Sequence, residues 1–320
     1  MNYYEKIQQL QAEIKRQLEP LIGEKCILTD LPYHDNLGDV LIWQGELDFL
    51  KSINKTPINQ SNYLTFNYPT VDERTTILLH GGGNFGDLYR ILQEFRLNVI
   101  SKYLNQRIIV FPQSVWYNDE SLIAKDAAIL AKHKNLYLCA RDNWSYDFMK
   151  KHFSANNILL VPDMAFCINK KFLVNTHLKN KKSLYFKRTD KELDNTTVCD
   201  FLDVETHDWP TYESKHWSSV INYWLLELNR RIPFGKSFSN ILIDFFAQHY
   251  MRSDYVKIAS KFLSSYGMVI TTRLHALILS TLMGIPVRYI DNTTGKLSAF
   301  ANTWLSDYTN VKPFSVSDPL

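Results

Sequence analysis

A chain of 320 residues suits two α/β domains or one large one, and 45% hydrophobic residues are enough for a substantial core. With 36 Lys+Arg against 33 Asp+Glu the net charge is only +3, too balanced to indicate a nucleic-acid-binding surface. The four cysteines, Cys26, Cys139, Cys167 and Cys199, lie far apart without a CxxC pair, which excludes a zinc knuckle and a disulfide framework.

Tyr4, Ile7, Leu10, Ile14 and Leu18 recur at helical spacing and predict a helix over 2–19, ended by Pro20. This charged start lacks the apolar run of a signal peptide, and no stretch reaches the roughly 20 apolar residues needed to span a bilayer. The expectation is a soluble cytoplasmic protein. The amphipathic 2–19 helix is compatible with loose association at the inner face of a membrane, but packing at a domain edge accounts for it better. CILTDL (26–31) reads as a buried strand, followed by the polar turn YHDNLGD (33–39) and a helix over 40–53. The same rhythm continues with TTILLH (75–80), GGGNFGD and a helix near 87–102. RIIVFPQS (107–114) leads into a helix near 120–133, LYLCARD (136–142) into one near 143–152, and ILLVPD (158–163) closes the half. Strands alternating with helices predict a mostly parallel sheet covered on both faces. After a pause from 164, SLYFKRTDKE (183–192) opens a second set, followed by a long polar stretch over 193–217. Helices are expected near 216–230 and 237–265. MVITTRLHALILSTLMGIPVRYID (268–291) reads as strand–helix–strand, and a last helix falls near 295–305. The pause places a domain boundary near 165–180.

Gly81, Gly83 and Gly86 satisfy G-x-G-x-x-G between a strand and a helix, so backbone amides of the next helix are expected to face a ligand there. The motif is not in the first βα unit, and Phe111-Pro112-Gln113 offers no acid for a ribose, which argues against a dinucleotide enzyme. His80-Gly81-Gly82-Gly83 mimics a hydrolase oxyanion loop, but the chain has no G-x-S-x-G elbow. Thr272-Arg273-Leu274-His275 is more informative. It joins a strand-like run to an apolar helix that Thr272 is expected to cap, with Arg273 and His275 in its first turn. Two cationic side chains there oppose the helix dipole unless an anion offsets them. Arg141-Asp142 and Lys187-Arg188 end two other strands and are expected to face the same cleft. Three basic strand ends suggest a ligand with more than one anionic group. No H-x-x-x-H or D-x-D spacing indicates a metal site.

In order along the chain, Asn36-x-Gly38-Asp39, Gly81-Gly82-Gly83-Asn84, Pro112-Gln113-Ser114, Arg141-Asp142, Pro162-Asp163 and Thr272-Arg273-Leu274-His275 resemble the polysaccharide pyruvyl transferase family. The resemblance covers most of the chain. It implies an α/β fold of two Rossmann-like domains in a GT-B-like arrangement: 1–165 on the acceptor side, 166–320 on the donor side, and a cleft between them. It implies phosphoenolpyruvate as donor, no cofactor, and a saccharide acceptor of a bacterial surface polysaccharide, free or lipid-linked. Two hydroxyls of that sugar would be joined as a pyruvate ketal. It also implies donor contacts from Arg141, Arg273 and His275.

From the residues themselves, Arg273 with the helix amides and Arg141 would divide phosphate and carboxylate between them, with Arg188 as a closing contact. The motifs that carry the resemblance also place Leu274, Gly82, Gly83, Asn84, Asn36 and Gln113 at the substrates, and Lys187 is expected there beside Arg188. His275 is the candidate acid, since histidine titrates near neutrality without special tuning. A donor of hydrogen bonds to phosphate is its other role. Asp39, Asn84 and Asp163 are candidate hydroxyl partners or base. A GT-B glycosyltransferase with a nucleotide-sugar donor is the alternative enzyme, and a non-catalytic sugar-binding member of a biosynthetic complex is the alternative class.

Overall fold

A computed structural model describes residues 2–174, 182–189, 204–231, 236–291 and 295–315. Cys199 and the polar stretch as far as residue 203 lie outside the described residues. Helix α1 (Tyr3–Leu18) opens on a capping box, in which Asn2 accepts the Glu5 N–H and Glu5 accepts the Asn2 N–H. Its apolar face, Ile7, Leu10, Ile14 and Leu18, is buried in the core, so that face is packed rather than turned to a membrane.

The next elements are β1 (Cys26–Thr29), α2 (Leu37–Ser52), β2 (Asn59–Gln60), β3 (Thr76–Leu79), β4 (Gly82–Gly86) and α3 (Arg90–Lys102). Then come β5 (Ile108–Trp116), α4 (Glu120–Leu130), β6 (Leu136–Ala140), α5 (Asn143–His152) and β7 (Asn157–Leu160). These strands form a seven-stranded parallel sheet in the order β2-β1-β3-β5-β6-β7, with β4 pairing β5. Its central strands are buried throughout, as their unbroken apolar runs require. Two 3₁₀ turns, Met164–Cys167 and Lys170–Phe172, lead out of it.

The second half holds β8 (Ser183–Phe186), β9 (Glu205–His207), α6 (Pro210–Glu213), α7 (Trp217–Arg231), α8 (Lys236–Phe246), a π-helical turn (Ala247–Met251) and α9 (Arg252–Leu263). β10 (Met268–Thr271), α10 (Leu274–Leu282), β11 (Val287–Tyr289), α11 (Lys296–Trp304) and β12 (Val311–Pro313) complete it. Here the sheet is five-stranded and parallel, β12-β11-β10-β8-β9. One apolar core joins the halves, running from Leu10 and Trp43 to Tyr255 and Leu277. Helix α2 is the joint: it packs on the Met164–Cys167 turn, α9 and α10. A Cβ on Gly45 would stand 1.9 Å from the Met164 carbonyl oxygen, so only glycine permits that approach.

Three local expectations are corrected. The glycine segment is the strand β4 rather than a phosphate-cradling turn, and α3 begins four residues after Gly86. Close pairing with β5 is the reason: Gly86 adopts φ 122° and a Cβ there would meet the Trp116 carbonyl at 1.9 Å. β9 lies inside the long polar stretch of 193–217, where no strand was expected, and β12 was not expected either; both have three residues, too short for a periodic signal. Helix α2 starts at Leu37 rather than residue 40, because Asn36 caps it by accepting the Gly38 N–H at 3.0 Å. Outward from the joint, α7 and α8 expose Trp217, Tyr223, Trp224, Phe238, Ile241 and Phe245.

Candidate active site

A cleft of about 370 Å³ opens where the two sheets meet, lined by Asn36, Asp39, Gly83, Asn84, Arg141, Arg188, Arg273, Leu274, His275 and Lys296. Arg141 follows β6, Arg188 follows β8, Arg273 follows β10, and His275 lies in the first turn of α10. The carboxyl ends of parallel strands in both sheets therefore supply it, the edge at which open α/β sheets bind ligands.

Arg141 is held in place on several sides. Its Nε donates to Ser114 Oγ at 2.9 Å, and its Nη1 donates to Asp163 Oδ2 at 2.8 Å. Ser114 Oγ in turn donates to Asp142 Oδ2 at 2.7 Å, while Asp142 caps α5 by accepting the Ser145 N–H. The Arg-Asp pair thus divides its work, the arginine facing the cleft and the aspartate anchoring its support. His275 Nε2 stands 3.5 Å from both Arg141 Nη1 and Asp163 Oδ2. Burial works against the charge on Asp163, yet His275, Arg141 and the Ala165 N–H together hold its carboxyl well below the ordinary carboxylate range. Asp163 is fully buried and does not line the cleft. That corrects the expectation of a direct hydroxyl partner: its oxygens are used on Arg141, His275 and the Ala165 amide.

Arg273 is buried beside Asp208, with Nη2 donating to Oδ2 at 2.6 Å and Nε to Oδ1. The ring of Tyr212 lies 5.1 Å from its guanidinium carbon. An arginine presented wholly to an anion is thereby corrected to one pre-oriented by a two-pronged carboxylate pair at the cleft wall. Thr272 does not cap α10; its Oγ1 accepts the Arg188 N–H at 3.0 Å, and Arg273 occupies the cap position without a side-chain cap bond. Asp208 also accepts from the Thr189 amide and hydroxyl, so it fastens the β8 and β10 strand ends together.

Three expected residues do not reach the cleft. Gln113 is buried and donates to the His80 carbonyl at 2.7 Å, tying β5 to the end of β3. Gly82 is buried in β4 at φ 139°. Lys187 places its ammonium 6.0 Å from the Tyr185 ring, outside the lining. Asp39 accepts from Asn36 Nδ2 at 2.9 Å, and Asn84 is held by the Arg96 guanidinium through both its carbonyl and its side chain. Sequence reasoning missed Lys296, whose ammonium lies 3.4 Å from the Gly83 carbonyl, and Asp208, which sits in the stretch without a recognisable motif. The motif glycines were a usable signal for shape. A Cβ on Gly83 would lie 2.9 Å from Arg141 Nη2, and one on Gly38 would lie 2.6 Å from His275 Nδ1. Each marks the place where a side chain of the cleft presses on backbone.

Among the described residues no group of three or more His, Cys, Asp or Glu is arranged to hold a metal ion. No described helix is long and apolar enough to cross a membrane.

The profile of the polysaccharide pyruvyl transferases matches residues 36–294. The chain belongs to the polysaccharide pyruvyl transferase family. Within it, the chain is 33% identical over 301 residues to EpsO of Bacillus subtilis (strain 168), provisionally named a pyruvyl transferase, with 91% of this chain and 90% of that one covered. It is 30% identical over 302 residues to pyruvyl transferase 1 of Schizosaccharomyces pombe, covering 89% of this chain and 71% of that one. A crystal structure of a functionally uncharacterized protein from Klebsiella pneumoniae superposes with a TM-score of 0.65 at 19% identity, over 96% of this chain and 99% of the other. That likeness supports the α/β fold with parallel sheets. The six motifs that carried the resemblance all lie within the span matched by the pyruvyl transferase profile.

Proposed function

We propose that this pyruvyl transferase takes phosphoenolpyruvate in the cleft and moves its three-carbon unit onto two hydroxyls of a saccharide, releasing phosphate. The observation that carries the reading is convergence: Arg141, Arg188, Arg273, Lys296 and His275 line one cleft of about 370 Å³. Asp163 and Asp208 orient Arg141 and Arg273, and the basic lining suits a small ligand that presents phosphate beside carboxylate at two points. The chemistry needs no cofactor or metal.

The transfer proceeds by protonation of the methylene carbon, which leaves an oxocarbenium-like centre at the adjacent carbon. One sugar hydroxyl attacks that carbon and loses its proton. The carbon–oxygen bond to phosphate then breaks, and phosphate departs with the bridging oxygen and the electron pair. The second hydroxyl closes the ring and gives up its own proton. Of the two hydroxyl protons, one restores the acid that protonated the methylene carbon and the other leaves on phosphate. His275 is the acid. Asp163 behind it is a positioning residue, 3.5 Å from His275 Nε2 and accepting from Arg141 Nη1 at 2.8 Å. Arg141 and Arg188 take donor oxygens, and Arg273 closes one wall with Asp208. Asp39, at the edge of the cleft with Asn36 and Asn84, faces the acceptor as hydroxyl partner or base.

We read the sheets as two Rossmann-like domains, 1–165 and 166–320, arranged as in GT-B enzymes, in a cytoplasmic enzyme of surface-polysaccharide synthesis. Strands of each sheet falling on one side of the 165–180 connection support this division. Phosphate release is the decisive assay: it should require phosphoenolpyruvate and a saccharide together, and the product should gain the mass of a pyruvate ketal. Turnover with a nucleotide sugar and none with phosphoenolpyruvate would replace this reading with glycosyl transfer.

A further inference from the structure

Beside the cleft lies a second cavity of about 270 Å³. The two share His34, Asp39, Tyr63, Asn84 and Leu92 as common walls, so a ligand in one can touch a ligand in the other. Their charges differ sharply. Arginines and a lysine dominate the cleft, whereas the charged lining of the cavity is Asp30, Asp35 and Asp39 against Arg230. A phosphorylated anion is therefore drawn to the first and not to the second.

The cavity is nonetheless built for a polar ligand. His80 and Asn222 both line it, both are buried, and each keeps one polar atom without a hydrogen-bond partner: Nε2 of His80 and Oδ1 of Asn222. Buried polar atoms are normally paired, so two unpaired ones on one cavity call for a partner. Their other atoms are fixed. His80 Nδ1 is 2.8 Å from Glu46 Oε2, whose second oxygen accepts the Gly81 N–H, and Asn222 Nδ2 donates to the Tyr33 carbonyl at 3.0 Å. The unpaired atoms are thereby pre-oriented. Asp30 adopts φ 68°, an unusual conformation for a non-glycine residue, and forms a 2.8 Å ion pair with Arg96. Tyr63 and Tyr223 add aromatic faces. Mixed donors and acceptors, no cationic excess and aromatic rings suit a neutral polyhydroxylated ring, and the volume is just below the ~300–1,000 Å³ of drug-sized ligand sites.

We propose that this cavity is the subsite for the acceptor sugar ring, with His80 and Asn222 hydrogen-bonding its hydroxyls and Asp39 at the shared wall facing the pair that receives the three-carbon unit. The proposal rests on the transfer to a saccharide described above. It also assigns acceptor contacts to α7, in the half of the chain that the sequence reading reserved for the donor.

The test takes the full chain with a panel of methyl hexopyranosides, following binding by saturation-transfer NMR and turnover by phosphate release with phosphoenolpyruvate. At least one panel member should show saturation transfer. Asn222→Leu should weaken that sugar's binding, or raise its KM, about 10-fold. The shift in melting temperature produced by phosphoenolpyruvate should stay unchanged. Because Asn222 also bonds Tyr33, Tyr223→Ala serves as the second variant: Tyr223 is 68% exposed, its loss does not threaten folding, and it should weaken the sugar about 3-fold. Sugar binding that follows this pattern without phosphate release, and without any melting shift from phosphoenolpyruvate, would sink the donor reading and leave the subsite standing. Absence of saturation transfer from every panel member, or unchanged sugar affinity in both variants, overturns the subsite.

Discussion

At the scale of single residues, the cleft works through charges that are fixed before any ligand arrives. Arg141 has Ser114 and Asp163 behind it, and Arg273 has Asp208. Such side chains would lose little freedom on binding the proposed anion, which would favour its affinity. His275 is the exception in function, since it is expected to give up its proton. His275→Ala should lower kcat by about 10²-fold or more while leaving the melting temperature near wild type; near-normal turnover would remove it as the acid. A residue with a shifted titration, Asp244, lies away from the cleft. Asp244 accepts from Tyr33 and Thr65 hydroxyls across the joint between the halves. Burial pushes its carboxyl up to about 6, against the pull of those two hydroxyls. The folded value lies above the ordinary one, so the stability Asp244 contributes is full below about pH 4 and is lost as pH rises through about 6. Asp244→Asn should therefore match wild type near pH 4 and exceed it by about 1–2 kcal/mol at pH 8, discounted for partial exposure, as measured by urea unfolding.

At the scale of elements, the glycine of the Asn36-x-Gly38-Asp39 motif decides how closely the halves meet. Gly38 lies within α2, where alanine would ordinarily gain about 0.8–1 kcal/mol of helix propensity. Here the added Cβ would stand 2.6 Å from His275 Nδ1 and 3.0 Å from its Cβ, so either the ring or α10 must move. The clash outweighs the propensity. Gly38→Ala is expected to cut kcat at least 10-fold with a melting temperature no higher than wild type, and a stabilised, fully active variant would refute this account of the motif. These contacts also show how much of the site was legible. Arg141, Arg273, Leu274, His275, Arg188, Gly83, Asn84, Asn36 and Asp39 were each readable because strand ends and helix starts announce themselves by local patterns, and all line the cleft. Gln113, Gly82 and Lys187 stood next to such residues in sequence but fall outside the lining; Gln113 is used to tie β5 to the His80 carbonyl. Asp208 and Lys296 escaped because their partners, Arg273 and Gly83, are 65 and 213 residues away along the chain.

For the whole molecule, the consequence is coupling. Cleft residues come from both sheets, and one apolar core runs between them. A donor bound there should stabilise the chain as one unit. Phosphoenolpyruvate at about 100 times its Kd should add about 2.7 kcal/mol, seen as a single transition moving upward, and the shift should shrink as ionic strength rises. An unchanged melting temperature at saturating donor would contradict binding in the cleft.

The amino-acid sequence alone determined the alternation of strands and helices, the parallel sheets that follow from it, the position of most basic strand ends and the family. Each of these is written in local periodicity or in short motifs, because backbone preference and side-chain alternation act over a few residues. Tertiary structure alone decided that Asp163 lies beneath the cleft rather than in it, that Asp208 takes two donors of Arg273, that the glycine segment is a paired strand, and that a second cavity adjoins the first. Those outcomes depend on which distant segments pack together. Burial and charge pairing then set each group's role, and neither is recorded in the order of residues along the chain.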